Sequence, residues 1–127
     1  MHATVSAREP ALERVQLLID GRWEDGSTGR EIPVVDPAEE VPVGSAPLAS
    51  EDDVDRAVQA AWRAFPGWSR SAPAARAGLL RRAAALARER TEALARLLTL
   101  EQGKPLKEAR SEVQAAIDAL EYYAEEA

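Results

Sequence analysis

The hydrophobic pattern of the chain changes near Ser50, and this change limits what the chain can fold into. Before Ser50, Gly, Pro and Asp residues typical of turns separate short runs that are rich in β-branched side chains. After Ser50, apolar residues recur every three or four positions, which is the spacing of one face of a helix. We therefore predict an α+β fold in which residues 15–49 form β-hairpins and residues 50–127 form about four helices, after a flexible N-terminus over residues 1–14.

The β-rich part predicts two hairpins of short strands. The first should turn at Asp20–Gly21, because Gly accepts the positive φ that a two-residue turn needs. The next two strands are expected over Glu31–Val35 and Val41–Ala46. Each contains a proline, Pro33 or Pro42, which has no N–H to donate. These strands should therefore be sheet edges or irregular pieces.

The helical part contains recognisable starts and stops. Ser50 and Asp53 have the spacing of a helix start in which a hydroxyl and an acid bind the first free N–H groups. Pro66–Gly67 is expected to end this first helix, because neither residue favours continuing it. The remaining boundaries are expected at Ser71–Pro73 for a second start, Thr91 for a third, Gly103 for a stop and Lys104–Pro105 for a last start.

Each expected helix carries an apolar face that must pack against something. Because 26 of the 127 residues are Ala, much of the buried area should be methyl groups, and the core should be thin. The expected faces comprise Val54, Val58, Ala61 and Phe65 on the first helix, Leu79, Leu80, Ala83, Leu86 and Ala87 on the second, Leu94, Leu97 and Leu98 on the third, and Leu106, Ala109, Val113, Ala116, Ile117, Leu120 and Tyr123 on the last.

The residue types present exclude several classes of chemistry. The chain has no Cys, so it holds neither a disulfide, a thiolate metal site nor a cysteine nucleophile. Its single histidine, His2, leaves imidazole catalysis and histidine metal sites without partners. The net charge of −6 argues against nucleic-acid and anionic-membrane binding. With no signal peptide or membrane-spanning run in the pattern, we expect a soluble, cytoplasmic protein.

The carboxylates, taken by spacing alone, indicate helix ends rather than a reaction centre. The acidic cluster after Ser50 lies where carboxylates favour the helix dipole, so capping is a better interpretation than a metal site. Glu101 lies at a helix end closed by Gly103, which also favours simple capping. Glycine-rich phosphate loops do not occur in the sequence. On these grounds the residues predict a mostly helical domain without chemistry of its own.

Three segments nevertheless occur together in the order and spacing of a known family. They are Leu18–Trp23 with Val34–Pro37, then Asp53–Ala61 continuing to Trp68–Arg70, and finally Leu100–Leu106 with Glu108–Arg110. In this order they resemble the N-terminal part of the aldehyde dehydrogenase superfamily, from about Leu17 to Ala127. The amino-acid sequences of the third segment and of Tyr123–Glu126 resemble the succinate-semialdehyde dehydrogenase branch of this superfamily.

The resemblance implies the scaffold of an α/β cofactor-binding domain in an enzyme that oxidises aldehydes to carboxylic acids with NAD or NADP. In that family a cysteine attacks the carbonyl, an asparagine and a backbone N–H stabilise the oxyanion, and a glutamate activates water. The family places all of these groups beyond the last residue of this sequence. We therefore expect no catalytic and no cofactor-binding residue in this chain, and NAD or NADP only in the complete enzyme.

The resemblance also implies one candidate metal site, for a monovalent cation. The matching positions are the backbone carbonyls of Val34 and Val35 and the carboxylate of Glu101. Oxygen ligands of this kind suit a hard, weakly held ion. A further ligand comes from a part of the family's chain that this sequence lacks, so we expect the site to be incomplete and empty here.

Two hypotheses of different classes follow. The first is that the chain is the N-terminal scaffold segment of an NAD(P)-dependent aldehyde dehydrogenase, cut at Ala127, where the last helix has no stop signal. The helix faces around Leu97, Val113, Ile117 and Leu120 would then meet residues outside this sequence. The second is a non-catalytic interaction module that binds a separately encoded remainder of the enzyme or self-associates through exposed helix faces. A free-standing enzyme built on Glu101 and Glu112 is disfavoured, because no group that stabilises a developing charge accompanies them.

Overall fold

Two β-hairpins followed by four helices make up the fold. The computed structural model describes residues 15–126, so the N-terminus expected to be flexible lies outside the described residues. The order is β1 Leu17–Ile19, β2 Arg22–Glu24, β3 Glu31–Asp36, β4 Val41–Pro47, α1 Glu51–Ser69, α2 Pro73–Glu89, α3 Thr91–Gln102 and α4 Leu106–Glu126. The predicted arrangement of short strands followed by four helices is confirmed.

Each hairpin forms its own two-stranded antiparallel sheet. Strands β1 and β2 turn on Asp20 and Gly21, whose φ angles of 53° and 75° are those of a two-residue hairpin turn. Strands β3 and β4 pair from Glu31 to Asp36, with a bulge between Val34 and Val35. In two-stranded sheets every strand is an edge, which is how Pro33, Pro42 and Pro47 are tolerated within them.

Helix α1 begins as predicted but does not end as predicted. The hydroxyl of Ser50 accepts a hydrogen bond from the N–H of Asp53, and the Asp53 carboxylate accepts one from the N–H of Ser50. The expected stop at Pro66–Gly67 is wrong, because the helix continues to Ser69. A proline this close to the end of a helix removes only one hydrogen bond of the ladder, which the remaining turn tolerates.

Helices α2, α3 and α4 pack together around small side chains. Helix α4 packs against both α2 and α3. The core consists of Ala84, Ala95, Ala109, Val113 and Ile117, and all but Val113 are completely buried. The expected thin, alanine-rich core is confirmed. Val113 and Ile117 are therefore covered within this chain, and the expectation that they face residues outside it is wrong.

Helix α2 buries only part of the predicted face: Ala87 packs against the core and Leu80 is half-buried, but the most buried residues are two alanines outside the prediction. Its buried residues are Ala77 and Ala84, whereas Leu79 and Leu86 are 45% and 50% exposed. Apolar residues occur on both sides of this helix. The side that carries the alanines is buried against α4, because small side chains let two helices approach closely. Helix α4 shows a similar difference, since it buries Ala124 and leaves Ala116 and Tyr123 exposed.

Pairs of opposite charge also connect the helices. Arg81 and Arg88 of α2 donate to glutamates of α4 at 2.8 and 2.7 Å. Arg110 of α4 donates to Glu92 of α3 at 2.7 Å. All of these side chains are about half-exposed or more, so the pairs fix helix register rather than supply much stability. Within residues 15–126, no helix is long and apolar enough to cross a membrane.

Candidate functional site

The ends of β3 and α3 meet, and this junction contains the candidate cation ligands. Gly103 closes α3 in the left-handed conformation, with φ 70°, and its N–H donates to the carbonyl of Thr99 at 2.8 Å. A Cβ on Gly103 would lie 2.8 Å from Cγ of Pro37, the residue directly after β3. Only glycine therefore allows α3 to end against the turn that follows β3.

The structure places Val34, Val35 and Glu101 on the two elements that meet at this junction. Val34 and Val35 are the two residues flanking the β3 bulge, where the ladder of backbone hydrogen bonds is interrupted. Glu101 lies in the last turn of α3 and is exposed. Among the described residues there is no cluster of three metal-ligating side chains. A cation here would thus depend on backbone carbonyls and a single carboxylate.

A shallow apolar groove of about 290 Å³ lies beside the same helix end. Glu101 and Glu112 reach its edge, so the structure does bring these two carboxylates to one surface. Glu112 pairs with Lys104, however, and the rest of the groove is hydrocarbon. Its lining residues are Ala87, Leu94, Leu97, Leu98, Glu101, Glu112, Val113 and Ala116. Such a surface can pack against another apolar surface, but it offers nothing that activates a substrate.

The most concentrated polar network of the described chain surrounds Asp53. This carboxylate is 1% exposed and accepts hydrogen bonds from the N–H groups of Ser50 and Ser27, each at 2.9 Å. It also accepts from the Ser27 hydroxyl at 2.9 Å and from Arg56 at 2.8 Å. Arg56 in turn pairs with Glu24 of β2. Asp53 therefore ties the start of α1 to the chain between the two hairpins.

These contacts perturb the pKa values of Asp53 and Arg56. The Ser50 N–H, then Arg56, then the Ser27 N–H hold the pKa of Asp53 well below its usual range. Glu24 first, and then Asp53, raise the pKa of Arg56. Every polar group of Asp53 and Arg56 that these contacts involve is bonded to another part of the same chain. The network therefore holds the structure together and is not a reaction centre, and it is called the Asp53 clamp below.

The sequence pattern identified only half of this clamp. The spacing of Ser50 and Asp53 predicted a capping box, and the structure confirms it. The contribution of Ser27 was missed, since it lies 26 residues away and nothing in local spacing marks it. The glycines on either side of Ser27 indicate a loop there, but they do not indicate which distant side chain its N–H group contacts.

Comparisons with known proteins give the same family along nearly the whole described chain. The family model "Aldehyde dehydrogenase family" matches residues 23–127. The chain is 44% identical, over 115 residues, to the NADP-dependent succinate-semialdehyde dehydrogenase of Escherichia coli K12, covering 91% of this chain and 24% of that protein. It is 41% identical, over 120 residues, to the glutarate-semialdehyde dehydrogenase of Pseudomonas aeruginosa, covering 94% and 25%.

Solved structures agree with the sequence comparison. An aldehyde dehydrogenase from Brucella melitensis biovar abortus superposes with a TM-score of 0.87 at 37% identity, covering 96% of this chain and 25% of its own. An E. coli NADP-dependent enzyme gives 0.86 at 43% identity, covering 89% and 24%. The chain thus spans about a quarter of the length of the relatives it matches, and it belongs to the aldehyde dehydrogenase family.

Proposed function

We propose that this chain is the N-terminal scaffold segment of an NAD(P)-dependent aldehyde dehydrogenase, an oxidoreductase that converts aldehydes to carboxylic acids. The observation that supports it most is the family match over residues 23–127, combined with a fold retained at TM-scores up to 0.87 in chains about four times as long. A cytoplasmic location fits an acidic chain without disulfide-forming residues.

In this proposal the segment supports the reaction and does not carry it out. The family's thiolate nucleophile is not supplied by this chain, which has no Cys. In the complete enzyme, NAD or NADP would supply the hydride-accepting chemistry, and the residues that would hold it are proposed to lie outside this chain. This chain's own residues form a rigid support. The apolar core holds α2, α3 and α4 together, and the hydrogen bonds of Asp53 hold the start of α1.

The names of the relatives support a scaffold role. Proteins named for succinate semialdehyde, glutarate semialdehyde, 3-sulfolactaldehyde and betaine aldehyde match this chain at 41–44% identity. If this segment selected the aldehyde, its sequence identity to one of these enzymes should be clearly higher than its identity to the others. We therefore propose that substrate choice resides elsewhere in the complete enzyme.

We also propose that Val34, Val35 and Glu101 contribute to a monovalent cation site in the complete enzyme. The bulge that interrupts the β3 ladder and the contact between Gly103 and Pro37 fit this role, because they bring backbone carbonyls and a carboxylate-bearing helix end to one junction. The ion would supply charge that holds the junction together.

A second candidate function is a non-catalytic module that binds a separately encoded remainder of the enzyme or a second copy. The observation that favours it is the large number of exposed apolar side chains, including Trp62 at 73% and Phe65 at 58% exposed. The two proposals differ in whether the rest of the enzyme lies on the same polypeptide.

An activity assay tests the scaffold proposal in two arms. The purified chain, incubated with succinate semialdehyde and either NAD or NADP, should give no cofactor reduction above a blank without protein. A fusion in which the entire chain replaces the matched segment of the E. coli succinate-semialdehyde dehydrogenase should oxidise the aldehyde. Reduction by the free chain that persists after repurification, or an inactive fusion, would contradict the proposal.

A further inference from the structure

The hydroxyl of Thr99, near the end of α3, is buried without a hydrogen-bond partner. Within residues 15–126 it is the one buried side-chain polar atom in this situation. Thr91 of the same helix shows the usual arrangement, since its hydroxyl donates to the carbonyl of Arg88 at 2.9 Å. A buried hydroxyl without a partner has given up water for nothing, and such groups are rare in folded proteins. The Thr99 hydroxyl therefore indicates a binding partner that this chain does not supply.

Thr99 lies on the side of α3 that faces the β3 hairpin. It precedes Gly103 by four residues, which places both on one side of the helix, and its carbonyl accepts the Gly103 N–H at 2.8 Å. Gly103 in turn lies against Pro37, and α3 also contacts β3 directly. The apolar groove beside α3 is lined by other residues of this helix, and Thr99 is not among them. The hydroxyl thus belongs to the junction between α3 and the end of β3.

The Thr99 hydroxyl and the bulge of β3 are at similar distances from this contact. One turn of helix, from Gly103 back to Thr99, spans about 6 Å. The two residues from Pro37 back to Val35 span about 7 Å of strand. Val34 and Val35 flank the point where the ladder between β3 and β4 is interrupted. Thr99 and these two residues are therefore each a short step from the contact between Gly103 and Pro37.

The oxygen atoms at this junction have the chemistry of a site for a hard cation. Backbone carbonyls only accept, and a hydroxyl oxygen carries two lone pairs that can also accept, so such groups do not satisfy one another without a shared partner. Hard cations such as Ca²⁺ and Mg²⁺ take about six oxygen ligands or more. Two carbonyls and one carboxylate therefore leave room for a further oxygen in the proposed cation site.

We propose that the hydroxyl of Thr99 is an additional oxygen ligand of the monovalent cation in the complete enzyme. This inference rests on the cation site proposed above and adds a ligand to it. The ion would then connect the two sides of the junction, through Val34 and Val35 on β3 and through Thr99 and Glu101 on α3. The partner that the buried hydroxyl lacks in this chain is the ion itself.

A cation titration of the E. coli fusion described above tests the proposal without relying on activity. NaCl or KCl replaces tetramethylammonium chloride at constant ionic strength, and the half-saturating concentration is read from the rise in melting temperature. Thr99→Val keeps the shape of the side chain and removes its hydroxyl. It should raise the half-saturating concentration by about tenfold or more, as the loss of a supporting group at a metal site does. An unchanged half-saturating concentration would overturn the proposal.

Thr91→Val supplies the matched control on the same helix. It removes a hydroxyl that already bonds to a helix carbonyl, so it should leave the half-saturating concentration unchanged. Thr99→Ser keeps the hydroxyl and should stay within about twofold of the unsubstituted fusion. If Thr99→Val instead shifted the melting temperature equally with and without the ion, the hydroxyl would have a purely structural role and the proposal would be wrong.

A further pair of variants covers the case in which Thr99→Val does not fold in the fusion. Thr99→Ser and Thr99→Ala both remove the methyl group, but only Thr99→Ser retains the hydroxyl. The proposal requires the cation-dependent rise to persist in Thr99→Ser and to weaken strongly in Thr99→Ala. Equal cation responses of these two variants would contradict it.

The free 127-residue chain provides a second, independent readout. Because the Thr99 hydroxyl has no partner among the described residues, Thr99→Val should leave the melting temperature of the free chain unchanged or raise it. Thr91→Val should lower it, since a hydrogen bond is lost. A clear fall with Thr99→Val would show that the hydroxyl is already bonded within this chain, which would overturn the proposal.

The outcomes for this ligand and for the scaffold function are separable. An active fusion whose melting temperature responds to neither ion would support the scaffold function and overturn the assignment of Thr99. An inactive fusion that still shows a rise dependent on the Thr99 hydroxyl would support the assignment of Thr99 and contradict the scaffold function.

Discussion

At the scale of single residues, Asp53 connects parts of the chain that are distant in sequence. Its carboxylate accepts hydrogen bonds from Ser27, Ser50 and Arg56, and thereby joins the segment after β2 to the start of α1. Acids at a helix start are common and modest in effect. This one is buried and fully engaged, so its removal leaves several donors without a partner.

The clamp predicts a particular pH dependence of stability. Because the pKa of Asp53 is lowered in the folded chain, its contribution is present above the unfolded value, near pH 4, and is lost as the pH falls toward the folded value. Asp53→Asn should lower the melting temperature at pH 7, and the difference from wild type should shrink below about pH 4. Thermal melts by circular dichroism across pH 2–7 measure this.

The exposed neighbour Asp52 provides the control for that experiment. At pH 7, Asp52→Asn should lower the melting temperature much less than Asp53→Asn does, since the Asp52 side chain is exposed at the helix start. If Asp53→Asn and Asp52→Asn gave the same pH profile, the clamp would not stabilise the fold.

Two glycines predict opposite responses to the same substitution. Gly103→Ala should destabilise the chain by about 1–2 kcal/mol or more, because its φ is 70° and the new methyl group would meet Pro37. Gly67→Ala should stabilise it by about 0.5–1 kcal/mol, because this glycine is helical and faces open space. Urea unfolding of both variants compares them. A stabilising Gly103→Ala would show that α3 does not end against the turn after β3.

At the scale of elements, the contacts among α2, α3 and α4 depend on hydrocarbon more than on charge. Ile117 is completely buried, so Ile117→Ala should cost about 2–5 kcal/mol. Arg88→Ala removes an exposed ion pair with Glu121 and should cost at most about 1 kcal/mol. Leu86→Ala, at a half-exposed position of α2, should be within about 0.5 kcal/mol of wild type.

Chemical denaturation of these three variants ranks the contributions directly. The expected order of destabilisation places Ile117→Ala far above the other two. An ion-pair loss as large as the core substitution would mean that charge, and not the alanine-lined packing, fixes α4 against α2.

At the scale of the whole molecule, the proposed cation site should be incomplete in the free chain. We expect no saturable rise in melting temperature when Na⁺ or K⁺ replaces a bulky organic cation at constant ionic strength. In the E. coli fusion, where further ligands are present, such a rise should appear and should be abolished by Glu101→Gln. A saturable rise in the free chain would show that Val34, Val35 and Glu101 suffice to bind the ion.

The sequence by itself determined the elements and most of their ends. Local chemistry decides these features: a positive φ at Gly21 and Gly103, and a hydroxyl and an acid at Ser50 and Asp53. The family was also readable from sequence, because ordered segments at fixed spacing carry more information than any single motif. The predicted stop at Pro66 is wrong, because the free-energy cost of a proline in a helix depends on its distance from the helix end.

Only the tertiary structure decided which apolar faces are buried. Periodicity marks a face as apolar but does not say what covers it, and α2 has apolar residues on both sides. In the folded chain the alanines of α2 are buried, Ile117 is covered, and Val58, Trp62 and Phe65 of α1 stay exposed. The contact of Asp53 with Ser27 likewise joins residues 26 positions apart. Such choices depend on how whole elements fit together in space, and spacing along the chain does not contain that information.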